Sequence, residues 1–209
     1  MSPRTAPRPQ ADETRARIVD AALDALRANG IAGVSARTIA RHGGFNQALI
    51  FYHFGSVEGL LVAVARRESE RRSALYAPAL REVTSLLELV GVARRLHDEE
   101  FSRGSVAALT QMLAGAVGSE ELASGIWDAL EPWTTLVGET IERLLADTPY
   151  GEVLSPDDLT AAVTALFLGI ELLTGLDPNG RERTLFSTME AAAAGIDALL
   201  RPQAAATDA

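Results

Sequence analysis

Residues 35–61 read SARTIARHGGFNQALIFYHFGSVEGLL, three short apolar segments divided by glycines. Ser35, Asn46 and Ser56 each precede one segment, and their side-chain oxygens can accept a hydrogen bond from the first turn of a helix. Gly44 lies between the first two segments, where it can adopt the left-handed conformation that ends a helix. The stretch therefore predicts three helices joined by tight turns, and the first two have the spacing of a helix-turn-helix.

A further helix is expected before this stretch. It should begin at Asp12 or Thr14, because both are good caps, and place Ile18 on an apolar face. Asn29-Gly30 is a turn sequence that should end it.

This amino-terminal unit, residues 12–74, resembles the DNA-binding domain of the TetR family of bacterial transcriptional repressors. The most specific part of the resemblance is the FYHF run at 51–54, followed by SVEGLL at 56–61. It covers the first third of the chain, and the rest agrees with the family only in length and helical character. The other residues that carry the resemblance are Arg17-Ile18, Ala21-Ala22-Leu23, Gly30, Ser35, Ile39-Ala40, Gly44 and Leu49-Ile50.

The remainder of the chain reads as helix, because apolar residues recur at three- and four-residue spacing and no strand alternation stands out. The helix after Ser56 should continue to about Tyr76 and break or kink at Pro78, and Pro132 should kink or split a later helix. We therefore expect an all-α fold of about nine helices, with the later ones over 79–101, 105–117, 120–147, 156–175 and 183–200.

The expected domain organisation follows from these segments and from the resemblance. A helix-turn-helix domain would occupy residues 12–58, a linking helix 59–76, and a helical domain for effector binding and dimerisation 77–202. The two ends, 1–11 and 203–209, should be disordered tails.

The composition of the 209 residues limits the compartment and the class of protein. There is no cysteine, which suits a reducing compartment and excludes disulfides and thiolate metal sites. The start is rich in Pro and Arg without an apolar core, so no signal peptide is expected, and no apolar run reaches the length of a membrane span. We expect a cytoplasmic protein with no membrane partner and no cofactor.

Charge is distributed unevenly along the chain. Residues 1–74 hold eleven arginines and seven acidic residues, a net +4, whereas residues 75–209 hold eight arginines and twenty-one acidic residues, a net −13. A positive head on a negative body would turn the head towards phosphate. The alternative is that the acidic body serves only solubility.

If the helix from Asn46 to His53 lies in the major groove, its first residues face base edges. Gln47 can pair with adenine through two hydrogen bonds, Asn46 is a second base-contact candidate, and Arg37 could fork onto guanine O6 and N7. The alternatives are that Arg37 is a solvated helix charge and that Gln47 is an ordinary surface residue. The resemblance implies phosphate contacts at Ser35, Thr38, Tyr52, His53, Ser56 and Val57, the last two through backbone N–H groups.

The motif departs from the family pattern at two positions. The family often has tyrosine where Phe51 stands, and usually lysine where Val57 stands. Losing a phenol and a cation beside phosphate predicts weaker nonspecific binding and a shallower dependence on salt. Phe51 and Phe54 are expected in the core, and His53 either contacts phosphate or packs inward and orients Tyr52.

The resemblance also implies an effector pocket in the second domain, with the linking helix carrying the effect of ligand binding to the DNA-binding head. Aromatic residues at helical spacing are more often core than pocket. Glu171 is an acid within an apolar helix and needs a partner, which would be a cationic effector or an arginine across a dimer. The pocket candidates are Phe101, Leu109, Met112, Trp127, Trp133, Phe167, Glu171 and Thr174.

Two long helices near the carboxyl end carry wide apolar stripes. TetR-like proteins dimerise through two such helices, and two DNA half-sites need two reading heads, so a homodimer is expected. The alternative is that the stripes are ordinary core. The expected interface residues are Leu159, Val163, Phe167, Ile170, Met189, Ala192, Ile196 and Leu199.

Metal and catalytic sites are not expected. The run 97–100, His-Asp-Glu-Glu, holds metal-ligand types, but adjacent residues point around a helix, so a solvated helix end is favoured. No nucleophile elbow, phosphate loop or HExxH motif occurs, which disfavours an enzyme. The favoured function is a repressor that a small-molecule effector releases from a palindromic operator. The alternative is an interaction module that kept the fold and lost DNA binding, and footprinting upstream of its own gene would distinguish the two.

Overall fold

The structure is a computed structural model that describes residues 8–200, except 147, 149, 152, 175 and 177–180. The described residues confirm an all-α fold, with ten α-helices, a short 3-10 helix at Ile31–Gly33 and no strand. The helices are α1 Arg8–Asn29, α2 Ala36–Gly43, α3 Ala48–Phe54, α4 Val57–Glu82, α5 Leu86–Ser102, α6 Ser105–Ala116, α7 Glu120–Ala129, α8 Glu131–Leu145, α9 Pro156–Thr174 and α10 Arg181–Leu200.

The chain divides into two compact units. The first unit runs up to Ser69 and also includes Ala107–Glu131, and the second unit comprises Glu70–Val106 and the chain from Pro132 onward. This division differs from the contiguous domains expected from the sequence. The reason is that apolar side chains of α6 and α7 belong to the core of the first unit, namely Ala108, Met112, Leu122 and Ile126.

Local capping explains the short helices of the first unit. The Ser35 side chain accepts a hydrogen bond from the N–H of Thr38, and the Thr38 side chain accepts one from the N–H of Ser35, which forms a capping box. Gly44 ends α2 in the left-handed conformation, with φ 65° and ψ 36°. Apolar side chains of α1 to α4 pack together in one core, which includes Ile18, Leu26, Ile39, Ile50 and Leu60.

At least four helix boundaries differ from those expected. One is the start of α5, which lies at Leu86 instead of residue 79. α1 begins at Arg8 instead of Asp12 or Thr14, because Pro9 falls in the first turn, where a helix needs no N–H from it. α4 continues through Pro78 to Glu82, so the proline does not end the helix. α3 begins at Ala48, two residues after Asn46.

The second unit is built around α5, α8, α9 and α10. Asp197 of α10 caps the start of α5, because its carboxylate accepts hydrogen bonds from the N–H groups of Leu86 and Leu87, both at 2.9 Å. The break between α7 and α8 falls at Leu130, and Pro132 lies in the first turn of α8. The split expected at this proline is therefore present.

No single helix among the described residues combines the length and apolar character needed to cross a membrane. One consecutive pair, α3 with α4, meets those criteria only when taken together, and it is bent by 64° at its break.

Candidate functional site

The turn before α2 is held by side-chain hydrogen bonds. Thr38 Oγ1 accepts from the N–H of Ser35 at 2.8 Å and donates to the carbonyl of Gly33 at 3.0 Å. Ser35 Oγ accepts from the N–H of Thr38 at 3.2 Å. The two hydroxyl oxygens also lie 3.0 Å apart, within hydrogen-bond distance of each other, so both predicted phosphate contacts shape the loop.

Asn46 and Gln47 occupy the turn that begins α3. Asn46 Oδ1 accepts from the N–H of Ala48 at 2.9 Å, so its amide oxygen already has a structural role. Gln47 is exposed, and no side-chain capping bond is formed from this position. Reading adenine through two hydrogen bonds needs both the oxygen and the nitrogen of an amide, which Gln47 can supply without disturbing the turn.

Three further predicted DNA contacts lie on α2 and α3. Tyr52 is 82 % exposed and Arg37 is also exposed. The half-buried His53 ring meets the Tyr52 ring edge to face, with centroids 4.9 Å apart, so His53 can orient Tyr52. Phe51 is 50 % exposed, so its assignment to the core was wrong; the α3 residues that belong to the core or pack against it are Leu49, Ile50 and Phe54. Phe54 is half-buried against the core, as expected.

The start of α4 places two further predicted phosphate contacts. Ser56 Oγ accepts from the N–H of Gly59 at 2.8 Å and so caps the helix. Val57 is half-buried and packs against the core of the first unit. Gly59 has no room for a side chain, since a Cβ atom there would lie 2.4 Å from the carbonyl oxygen of Phe54.

Arg15 makes two contacts with the end of α3 that the sequence did not predict. Its guanidinium carbon lies 4.3 Å from the ring centroid of Phe54, and its Nη1 donates to the carbonyl of His53 at 2.8 Å. Arg15 therefore ties α1 to the last turn of α3, where a cation also complements the helix dipole. The two partners are 38 residues apart, so no spacing pattern could indicate this contact.

The family model "Bacterial regulatory proteins, tetR family" matches residues 18–64, which contain this capped helix pair together with parts of α1 and α4. The chain belongs to the TetR family. It is a DNA-binding transcriptional regulator.

Relatives of this TetR-family chain include curated regulators and a solved ligand complex. It is 24% identical over 161 residues to the HTH-type transcriptional regulator UidR of Escherichia coli strain K12, covering 77% of this chain and 79% of UidR. It is 38% identical over 60 residues to the regulator SrpR of Pseudomonas putida, covering 28% of each protein. The multidrug binding protein EbrR, solved in complex with imidazole, is 26% identical with a TM-score of 0.65, covering 98% of this chain and 100% of EbrR.

The second unit of this TetR-family protein contains a cavity of about 300 Å³. Its wall is contributed by α4, α5, α8, α9 and α10. Of the predicted pocket residues, Trp133 and Phe167 line it. The others lie elsewhere: Phe101 and Trp127 are exposed, Leu109 and Met112 are buried within the first unit, and Glu171 and Thr174 are buried and hydrogen-bonded in the second unit.

Glu171 is paired within the chain. Its Oε1 lies 2.8 Å from Nδ1 of His97, and both side chains are almost fully buried. The His97 ring also lies against Phe186, with centroids 5.2 Å apart. The partner of Glu171 is thus neither of the two that the sequence suggested.

The prediction that residues 97–100 form a solvated helix end is wrong, because His97 and Glu100 are both buried. Glu100 accepts hydrogen bonds from Arg71 and from Nε of Arg72, the latter at 3.1 Å. Burial alone would raise the pKa of Glu100, but these bonds and the charges of both guanidiniums outweigh it and leave the pKa below its usual value. His97 and Glu100 are three residues apart, a same-face spacing that could have indicated buried partners.

The hydroxyl of Tyr76 donates to Glu99 beside this network. Burial raises the pKa of Tyr76, and the hydrogen bond to Glu99 raises it further. The phenol therefore stays protonated and joins α4 to α5 within the second unit.

An exposed apolar surface covers part of α9 and α10, where the dimer interface was predicted. Ala192, Ile196 and Leu199 of the predicted set are exposed. Ile170 is buried and Leu159 is half-buried. Six of the predicted interface residues also line the cavity, namely Val163, Phe167, Ile170, Met189, Ala192 and Ile196. Additional exposed apolar residues on α9, absent from the prediction, are Leu166, Leu172 and Leu173.

Proposed function

We propose that this protein is a homodimeric repressor that binds a palindromic operator and is released by a small molecule held in the cavity of the second unit. It would act on DNA in the cytoplasm, and as a regulator instead of an enzyme. The observation that carries the proposal is the helix pair α2 and α3, which is fixed by its own caps and presents exposed polar groups at the start of α3.

The proposed roles in DNA binding follow from exposure and from hydrogen-bonding capacity. Gln47 reads a base, because its amide is exposed and not used in the turn. Arg37 reads a second base, and Asn46 contributes only its amide N–H donors, because its oxygen holds the turn. Phosphate contacts come from residues that all lie in the first unit. They are Ser35, Thr38, Tyr52 and His53, together with the backbone N–H groups of Ser56 and Val57.

The proposed effector site is the cavity of the second unit. Its volume is at the lower end of the range for small-molecule sites, and its wall is mostly apolar, as such sites usually are. EbrR, which shares this fold over its whole length, was solved as a multidrug binding protein with imidazole. That likeness supports ligand binding in the same class of protein.

The proposed dimer forms through α9 and α10. Leu173 and Leu199 are 59% and 83% exposed, and apolar side chains in such number on two neighbouring helices favour a partner. Gly169 and Gly195 meet no atom within 4 Å of a Cβ position, so each leaves space for a second helix to approach.

Selection of genomic fragments with the purified full-length protein tests the proposal. We expect recovered fragments to share a palindrome, and Arg37→Ala to relax the preference at one position of each half-site by about 1–3 kcal/mol. Arg95→Ala, at an exposed arginine of α5 in the second unit, removes the same charge and should leave the sequence preference unchanged. Failure to enrich any fragment would favour the alternative of an interaction module without DNA binding.

A further inference from the structure

The wall of the second unit's cavity is apolar apart from two side chains. Among the described lining residues, Thr164 supplies the one hydroxyl and Trp133 an indole N–H, and none of them is charged. The other lining residues are Leu, Val, Ile, Ala, Phe and Met. A molecule in this cavity therefore meets hydrocarbon on most sides and a hydroxyl on α9.

The hydroxyl of Thr164 is buried and has no hydrogen-bond partner among the described residues. Four other helical threonines behave differently, because each donates to the carbonyl four residues before it, at 2.8–2.9 Å. These are Thr140, Thr160, Thr174 and Thr188. Thr160 lies one turn before Thr164 on the same helix, so the helix itself allows this bond.

A buried hydroxyl without a partner destabilises the folded protein, because water has been removed from it and nothing has replaced the lost hydrogen bond. A ligand that brings one hydrogen-bonding group to this position recovers that loss on binding. A charged ligand would gain much less, because the described wall offers no opposite charge to offset the cost of desolvation.

We propose that the cavity takes an uncharged, predominantly hydrocarbon molecule with a single hydroxyl or carbonyl group, and that this group hydrogen-bonds Thr164. The threonine hydroxyl can donate to a carbonyl or exchange hydrogen bonds with an alcohol, so both classes fit. The inference rests on the proposed function only in treating this ligand as the effector.

Calorimetric titration of the full-length protein with three molecules of one chain length tests this ligand class. The probes are 1-octanol, octanoate and octyltrimethylammonium, which share a hydrocarbon body and differ in charge. We expect 1-octanol to bind at least tenfold more tightly than either ion. Equal or tighter binding of an ion, or no binding of 1-octanol, overturns the proposal.

Two matched variants test the role of Thr164. Thr164→Val keeps the shape of the side chain and removes its hydroxyl, so we expect the melting temperature of the ligand-free protein to rise by about 2–4 °C. The affinity for 1-octanol should fall by about three- to tenfold, the value of one hydrogen bond. Thr160→Val removes a satisfied hydroxyl outside the cavity, and should leave the affinity unchanged without raising the melting temperature.

A lower melting temperature for Thr164→Val, or an unchanged affinity for 1-octanol, would show that the hydroxyl finds a partner within the protein, and would overturn the proposal. Release of operator DNA by saturating 1-octanol is measured separately. If Thr164-dependent binding occurs without release, the ligand class stands and the effector role fails. If an ion binds more tightly and releases DNA, the effector role stands and the ligand class fails.

Discussion

Val57, one of the two positions at which the motif departs from the family pattern, begins helix α4 after the proposed DNA-reading helix α3. Its side chain is half-buried on the core of the first unit, and a lysine stem could cover the same surface while its ammonium reaches solvent. The position therefore suits a direct test of how close α4 comes to the DNA backbone.

Val57→Lys should tighten DNA binding and steepen the slope of log K against log salt by roughly one, because one more phosphate is neutralised. Titrations at several salt concentrations measure the slope. Val117→Lys is the matched control, since it adds the same charge at a site that is 91% exposed and outside the helix pair. An unchanged slope for Val57→Lys would show that this position does not approach phosphate.

Side-chain contacts between residues close in sequence could be predicted, whereas contacts between distant residues could not. The caps Ser35 and Ser56 were predictable, because each bonds within three residues of itself. The partner of Glu171 was not, because His97 is 74 residues away and only the fold brings the two together. The exposure of Phe51 likewise depends on which side of a two-turn helix faces the core.

Contacts between elements determine how firmly α3 is held. The helix has seven residues, too few to be stable alone, so its position depends on its neighbours. Arg15 of α1 contacts its last turn twice, through the ring of Phe54 and the carbonyl of His53. Removing these contacts should loosen α3 without opening the core.

Arg15→Met keeps an unbranched apolar side chain and removes the charge. Because Arg15 is exposed, we expect a loss of only about 1 kcal/mol in unfolding free energy, but a several-fold loss of operator affinity. Binding assays and amide exchange of residues 48–54 measure the two effects. Arg17→Met, at the exposed arginine two positions on, is the control for charge alone. Equal effects of both variants would mean that Arg15 acts only through its charge.

Helices α4 and α5 are joined by the buried carboxylate of Glu100 between Arg71 and Arg72. Since the pKa of Glu100 is lowered in the folded protein, the carboxylate stabilises the fold fully above its unfolded pKa of about 4.3. This stabilisation is lost as the pH falls through the lower, folded pKa.

Glu100→Gln should cost about 3–5 kcal/mol at pH 7, because it leaves two guanidiniums without their anion. We measure the free energy of unfolding in urea between pH 3.5 and 7. The gap between wild type and variant in this free energy should be constant down to about pH 5 and should narrow below it. Glu139→Gln changes the same charge at an exposed site of α8 and should give no such gap. A gap that does not narrow in acid would contradict the assigned ion pair.

Helix boundaries could be predicted from the sequence where neighbouring residues determine them, and not where packing against other helices does. The break before α8 was predictable, because Pro132 itself disfavours a continuous helix. The passage of α4 through Pro78 was not, since the cost of one missing hydrogen bond is outweighed by packing of the whole helix. Tyr76 and Leu80, on either side of the proline, are both buried in the second unit.

At the scale of the whole molecule, the first unit was easier to predict than the second. Its DNA-binding motif is contiguous in the chain, whereas the cavity is lined by residues of five helices that lie between positions 80 and 196. Aromatic content therefore pointed to Trp127, which is exposed, as readily as to Trp133, which lines the cavity. The position of Thr164 on the wall could be found only from the structure.

A homodimer through α9 and α10 is the remaining prediction, and it links the second unit to DNA binding. Leu173→Glu and Leu199→Glu place charges on the exposed apolar surface. In a symmetric dimer each charge would meet either the same charge of the second copy or its apolar side chains, and both contacts are unfavourable. We expect each variant to sediment as a monomer at micromolar concentration, and to bind a two-half-site operator at least a hundredfold more weakly, because the second head no longer binds at high effective concentration. Binding to an isolated half-site should be unchanged, which separates loss of dimerisation from damage to α3. Val117→Glu, in the first unit, adds the same charge at an exposed valine and should remain dimeric. Dimeric Leu173→Glu and Leu199→Glu variants would place the interface elsewhere on the chain.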